Sequence, residues 1–153
     1  MMFKQSAMAV LAASALACTA ALAQETLNNE APKVIDGVET VCDGITIDNR
    51  NDAKWRAYSL RLEFVGKGGQ YLGDEKVTVK GHELDVAVHC QGPWVLMKLP
   101  AGSYQVSADL ADAGHKQMTV QVPANGQRSV VVRFPNAGGE ITKPVSEPRV
   151  ALR

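Results

Sequence analysis

From residue 58 to residue 134 the chain alternates apolar and polar side chains with a period of two, the pattern of strands that bury one face and wet the other. Seven segments carry it. Residues 58–65 put Tyr58, Leu60, Leu62 and Phe64 on one side, opposite Ser59, Arg61 and Glu63. Residues 76–80 alternate Val77 and Val79 with lysines and a threonine, and 83–90 send Leu84, Val86, Val88 and Cys90 inward, with Asp85 and His89 outward. Residues 103–110, 116–122 and 128–134 alternate likewise through Tyr104 and Val106, Met118 and Val120, and Val132 and Phe134. Residues 94–99 are apolar at almost every position, as in a strand covered on both faces or one near a sheet edge that something packs over.

Turn chemistry separates these segments. Gly81-His82 suits a two-residue type II′ hairpin, and Gln91-Gly92 and Asn125-Gly126 are further turns. Pro100-Ala101-Gly102 predicts a three-residue hairpin, with Leu99 and Ser103 beginning paired strands. One short helix is expected over residues 49–57, capped by Asp48 and favoured by Ala53 and Ala57. The expected fold is all-β: a seven-stranded antiparallel β-sandwich with one short N-terminal helix. Aromatic residues make up only 5% of the chain, so the core falls mainly to Val, Leu and Ala.

The ends read differently. Residues 1–23 combine Lys4, an apolar run and the small-residue site Ala21-Leu22-Ala23, the pattern of a secretory signal peptide cut between Ala23 and Gln24. The apolar run is shorter than the about 20 residues a membrane span needs. A competing reading is a lipoprotein signal ending at Cys18, but Ala15 stands where leucine is wanted, and the downstream site is better formed. Residues 24–40 form a polar lead-in without a sustained period, 41–135 the folded body, and 136–153 a Gly- and Pro-bearing tail with few apolar residues. The expected compartment is periplasmic or secreted.

With the leader gone, Cys42 and Cys90 are the only cysteines, in a compartment that oxidises thiols, and they are expected to form a disulfide. Neither has the close spacing of a redox or zinc motif. Charge is balanced at 16 basic and 16 acidic residues, with no basic face for nucleic acid and no transmembrane segment.

One stretch carries a family resemblance. Gly92-Pro93-Trp94-Val95-Leu96-Met97-Lys98-Leu99-Pro100-Ala101-Gly102-Ser103-Tyr104, followed by the strands of 116–134, resembles carboxypeptidase regulatory-like domains, which are transthyretin-like β-sandwiches. Their Leu-Pro-x-Gly-x-Tyr turn is matched at Leu99, Pro100, Gly102 and Tyr104. The resemblance spans roughly residues 57–135, implies the fold, and implies no activity. The cysteine pair is not part of that signature.

Candidate chemistry is sparse. Hydroxyisourate hydrolases that resemble transthyretin end in Tyr-Arg-Gly-Ser, whereas this chain ends Val150-Ala151-Leu152-Arg153. No His-x-x-Glu zinc pair, Gly-x-Ser-x-Gly elbow or paired carboxylates stand out, so no enzyme and no cofactor are expected. An intramolecular Lys–Asn bond, formed in some related surface domains, is left open by the sequence. His82, His89 and His115, with Met97, are donors that a metal-handling carrier uses, but their spacing predicts surface histidines rather than ligands. Trp94 is either an exposed aromatic for recognition or packs under the 49–57 helix against Trp55. The leading functional expectation is a non-catalytic exported module binding or scaffolding an envelope protein or a glycan. The alternatives are a metal- or ligand-binding carrier using surface histidines and, more remotely, a transthyretin-like hydrolase.

Overall fold

The structure, a computed structural model, describes residues 24–27 and 31–137. The expected signal peptide with Cys18 and the Ala23–Gln24 cleavage site, and the tail from residue 138 onward, lie outside the described residues. Ten strands form two five-stranded sheets that pack face to face. Sheet A has the order β1 (Glu25–Leu27), β6 (Leu84–Cys90), β5 (Glu75–Gly81), β8 (Gly102–Leu110), β9 (Gly114–Val122). Sheet B has the order β10 (Arg128–Phe134), β4 (Leu60–Gly66), β7 (Trp94–Met97), β3 (Val38–Asp43), β2 (Lys33–Ile35).

The sandwich is as expected, but with ten strands instead of seven. The three added strands lie at residues 25–43, in or beside the segment read as a loose lead-in. Leu27 and Val38 are buried in the main core, and Asp36 and Gly37, both at positive φ, close a two-residue hairpin between β2 and β3. Nor is the pairing wholly antiparallel. β1 runs parallel to β6, and β10 runs parallel to β4 over all seven of its residues.

Between the sheets lies the core predicted by alternation. Leu60, Leu62, Phe64, Val77, Val79, Val86 and Val88 are fully buried there, with Val106 and Phe134. Each buried Val, Leu or Phe side chain contributes roughly 1.5–3 kcal/mol of transfer free energy, so this layer supplies most of the drive to fold. Cys42 on β3 and Cys90 on β6 form a disulfide across it, with Cα atoms 5.6 Å apart, so one covalent bond links sheet B to sheet A.

Two expected hairpins are corrected. The turn between β5 and β6 is not Gly81-His82 but His82-Glu83, because Gly81 pairs with Leu84 and both turn residues have positive φ, 48° and 63°. That is the backbone of a type I′ turn, which matches the right-handed strand twist. The Pro100–Gly102 turn does not join hydrogen-bonded neighbours. It carries the chain from β7 in sheet B to β8 in sheet A, and turn residues alone do not reveal which sheet receives the next strand.

Its internal geometry explains the motif. The Tyr104 hydroxyl donates to the Pro100 carbonyl at 2.7 Å, while the His82 ring lies 5.3 Å from the Tyr104 ring and directly against Gly102. A Cβ on Gly102 would stand 1.9 Å from His82 Nε2 and push that exposed ring aside, while the φ of +151° is the conformation that favours glycine.

The helix expected over residues 49–57 is two pieces, α1 (Ile47–Asn51) and a 3₁₀ helix (Ala53–Ala57). Asp52 rather than Asp48 caps the second, its carboxylate accepting the Lys54 N–H at 2.9 Å. Trp55 and Tyr58 press onto the outer face of sheet B with Val41, Trp94 and Leu96, forming a second, smaller core. Tyr58 therefore belongs to that outer layer and not, as its parity with Leu60 implied, to the main core. The continuous apolar run of β7 follows directly: Val95 and Met97 face the main core while Trp94 and Leu96 face the helical cover.

Candidate functional site

The outer face of sheet A is set by the parity that buries its valines. Residues outward on neighbouring strands fall into rows. One row runs His89 on β6, Lys76 on β5, Asp109 on β8 and His115 on β9, by direct register. Asp74, just before β5, joins it: His89 Nε2 lies 2.5 Å from Asp74 Oδ1, and His115 Nδ1 lies 2.7 Å from Asp109 Oδ1. Lys76 stands exposed between the two pairs. The row opens into a cleft of about 610 Å³ whose rim is completed by Asp112 at the β8–β9 turn, where it holds φ +65°. An adjoining cleft of about 550 Å³ shares Asp74 and Asp112 and reaches Leu72 and Ala137 at the end of the sandwich.

His89 is on the outward strand position expected of it, whereas His115, expected in a loop, is the second residue of β9. His82 sits at the other end of sheet A, over Tyr104, so the three histidines do not converge. Met97 is fully buried in the core and unavailable as a donor. Among the described residues no group of three His, Cys, Asp or Glu side chains is placed to hold a metal ion. Trp94, the candidate for recognition, is only 4% exposed and packs in the cluster that holds Trp55, with the Arg61 guanidinium 4.6 Å from its ring centroid. Its ring is not presented to a partner.

Under the end of the row lies a group that alternation missed. Glu75 shares the parity of Val77 and Val79, is fully buried, pairs in register with Cys90 and Leu110, and neither carboxylate oxygen has a hydrogen-bond partner among the described residues. Burial pushes its carboxyl up to about 9, since a charge in that layer loses its hydration; its own backbone N–H offsets part of the rise and the neighbouring Asp74 adds to it. The expected pattern began at Lys76, one residue too late, because an acid at an inward position gives no apolar signal.

A further cleft, of about 320 Å³, lies on the opposite layer where the 3₁₀ helix meets β3 and β7. Tyr58 donates its hydroxyl to Glu39 Oε1 at 2.8 Å, and Lys98 Nζ lies 3.0 Å from the same oxygen. The hydrogen bond from Lys98, then that from Tyr58, holds the Glu39 carboxyl below its ordinary range. Desolvation, then the Glu39 hydrogen bond, raises the Tyr58 phenol.

No helix among the described residues is long and apolar enough to cross a membrane. Compared with known proteins, the chain matches no family model, and no curated protein resembles it significantly.

Proposed function

We propose that the chain is an exported, non-catalytic recognition module of the transthyretin-like, carboxypeptidase regulatory-like type, which binds an envelope protein through the outer face of sheet A. The observation that carries this reading is the row His89–Lys76–Asp109–His115, four polar side chains brought side by side on four hydrogen-bonded strands. The strands fix where these groups stand, so on association only the side-chain ends, that of Lys76 above all, have to order. The outward positions of β5, β6, β8 and β9 carry no Trp, Tyr or Phe, which favours a protein surface over the stacked ring of a glycan at this face.

Export is supported by the leader pattern and by the Cys42–Cys90 bridge, which persists where thiols oxidise. The family assignment is supported by the two sheets and by the Tyr104–Pro100 hydrogen bond within the Leu-Pro-x-Gly-x-Tyr turn. A binding role is supported further by the state of the reactive groups: both cysteines are spent in the bridge, and His89 and His115 each rest on one aspartate.

Cross-linking capture from envelope extract, comparing the native protein with Lys76→Glu, tests the reading. A protein identified by mass spectrometry should be captured by the native form, lost with K76E, and released as salt rises. Equal capture by both forms, or capture insensitive to salt, sinks it.

A further inference from the structure

The cleft beneath the 3₁₀ helix is on the other sheet from the recognition face and makes a separate demand. Its charged lining consists of Lys54, Lys98 and Glu39, two cations against one anion. Lys98 is tied to Glu39, and the partner of Lys54, Asp52, stands outside the cleft wall. Lys54 pairs with Asp52 at 3.2 Å, but both side chains are about half exposed. Such an exposed pair is screened by solvent and exchanges readily with other anions.

The rest of the cleft is stiff. Lys54 Nζ rests 4.4 Å from the Trp55 ring centroid and Lys98 Nζ 5.2 Å from that of Tyr58. Both rings are locked in the second core, and the backbone carbonyls of Trp55 and Tyr58 each accept from Gln127 Nε2, at 2.6 and 3.0 Å. Pro32 and Ala57 supply apolar wall. Glu39 meets Lys98 and Tyr58 through Oε1, and Oε2 takes no part in those two contacts. The volume is at the small end of the range of about 300–1,000 Å³ in which ligand sites fall, enough for a single ring.

We propose that this cleft binds a small hydroxylated monocarboxylate of one-ring size, its carboxylate on Lys54, with Lys98 as the second donor, and a hydroxyl on Glu39. The assignment follows from the two lysines and one carboxylate of the wall, its aromatic rings and its volume, and it does not depend on the function proposed above.

Titration of the full mature protein with glucuronate, followed by amide and indole chemical shifts, tests it, with glucose as the neutral probe. Saturable shifts are expected at Trp55, Tyr58 and Lys98, with glucose bound at least about tenfold more weakly, because it cannot bridge both lysines with one anionic group. Lys54→Met should weaken glucuronate by at least about tenfold while leaving glucose binding and thermal stability unchanged. Three results would each overturn the proposal: no saturation up to about 10 mM, a value weaker than about 3 kcal/mol of binding; equal binding of the two probes; or unchanged glucuronate binding in K54M. If K54M were to lower thermal stability, Lys54→Gln, which keeps a polar stem of similar length, provides the same comparison.

Discussion

Replacing Glu75 with glutamine should flatten the pH dependence of the domain's stability. The folded protein holds the Glu75 proton up to about pH 9, whereas the unfolded chain releases it near the ordinary value of 4.5. Between those limits folding takes up a proton, so stability falls as pH rises, by about 1.4 kcal/mol for each pH unit. Below the lower limit both states are protonated and the penalty vanishes. At pH 7, two and a half units above it, the accumulated loss is about 3 kcal/mol, a large share of the roughly 5–15 kcal/mol that holds a domain together. Glutamine cannot ionise. Its buried amide carries its own cost of about 1–3 kcal/mol, but that cost is the same at every pH. The measurement is therefore a slope: urea unfolding of native and E75Q protein, disulfide intact, at intervals from pH 4 to pH 8. The difference in stability should move by about 3 kcal/mol in favour of E75Q from the acid end to neutrality. Parallel curves would refute the reasoning and mean that the carboxylate is solvated or paired in solution.

Two further perturbations are decisive for the frame. Replacing both Cys42 and Cys90 with alanine opens a loop of 48 residues and should cost about 4 kcal/mol on the chain-entropy model, read as a lower urea midpoint; a midpoint equal to that of the oxidised protein would show that the link adds nothing. Gly102→Ala should destabilise by roughly 1–3 kcal/mol, through the unfavourable φ first and the displacement of the exposed His82 ring from Tyr104 second. Adding His82→Ala should recover part of that loss in a double-mutant cycle, and strict additivity of the two changes would contradict the contact.

How much was legible in the chain depended on whether a signal was local. Facing was legible: Val77, Val79, Val86, Val88, Val106 and Phe134 are buried as their parity predicts, because burial of one face imposes the period directly. Pairing was not. The Pro100–Gly102 turn has the same residues whether it folds a strand back on its neighbour or hands it to the opposite sheet. The parallel pairing of β10 with β4 leaves no local trace either, since partner direction is not encoded in one strand's pattern. The Asp36-Gly37 dipeptide between short apolar stretches was a readable hairpin signal, and the polar character of its surroundings masked it. Of the site, His89 was legible as outward, but its place beside Lys76, Asp109 and His115 exists only once register is known. Trp94 illustrates the reverse case: its pattern allowed either exposure or cover, and the helical cover decided.

The bond between β3 and β6 also determines how the domain would answer a mechanical load. Pulled from both ends, the chain could peel its outer strands, yet the 48-residue separation between the joined cysteines is bypassed by the covalent path. About 160 Å of extensible contour is thereby withheld at about 3.3–3.6 Å per residue. Until its oxidation state changes, only the strands outside that loop can lengthen the domain under tension.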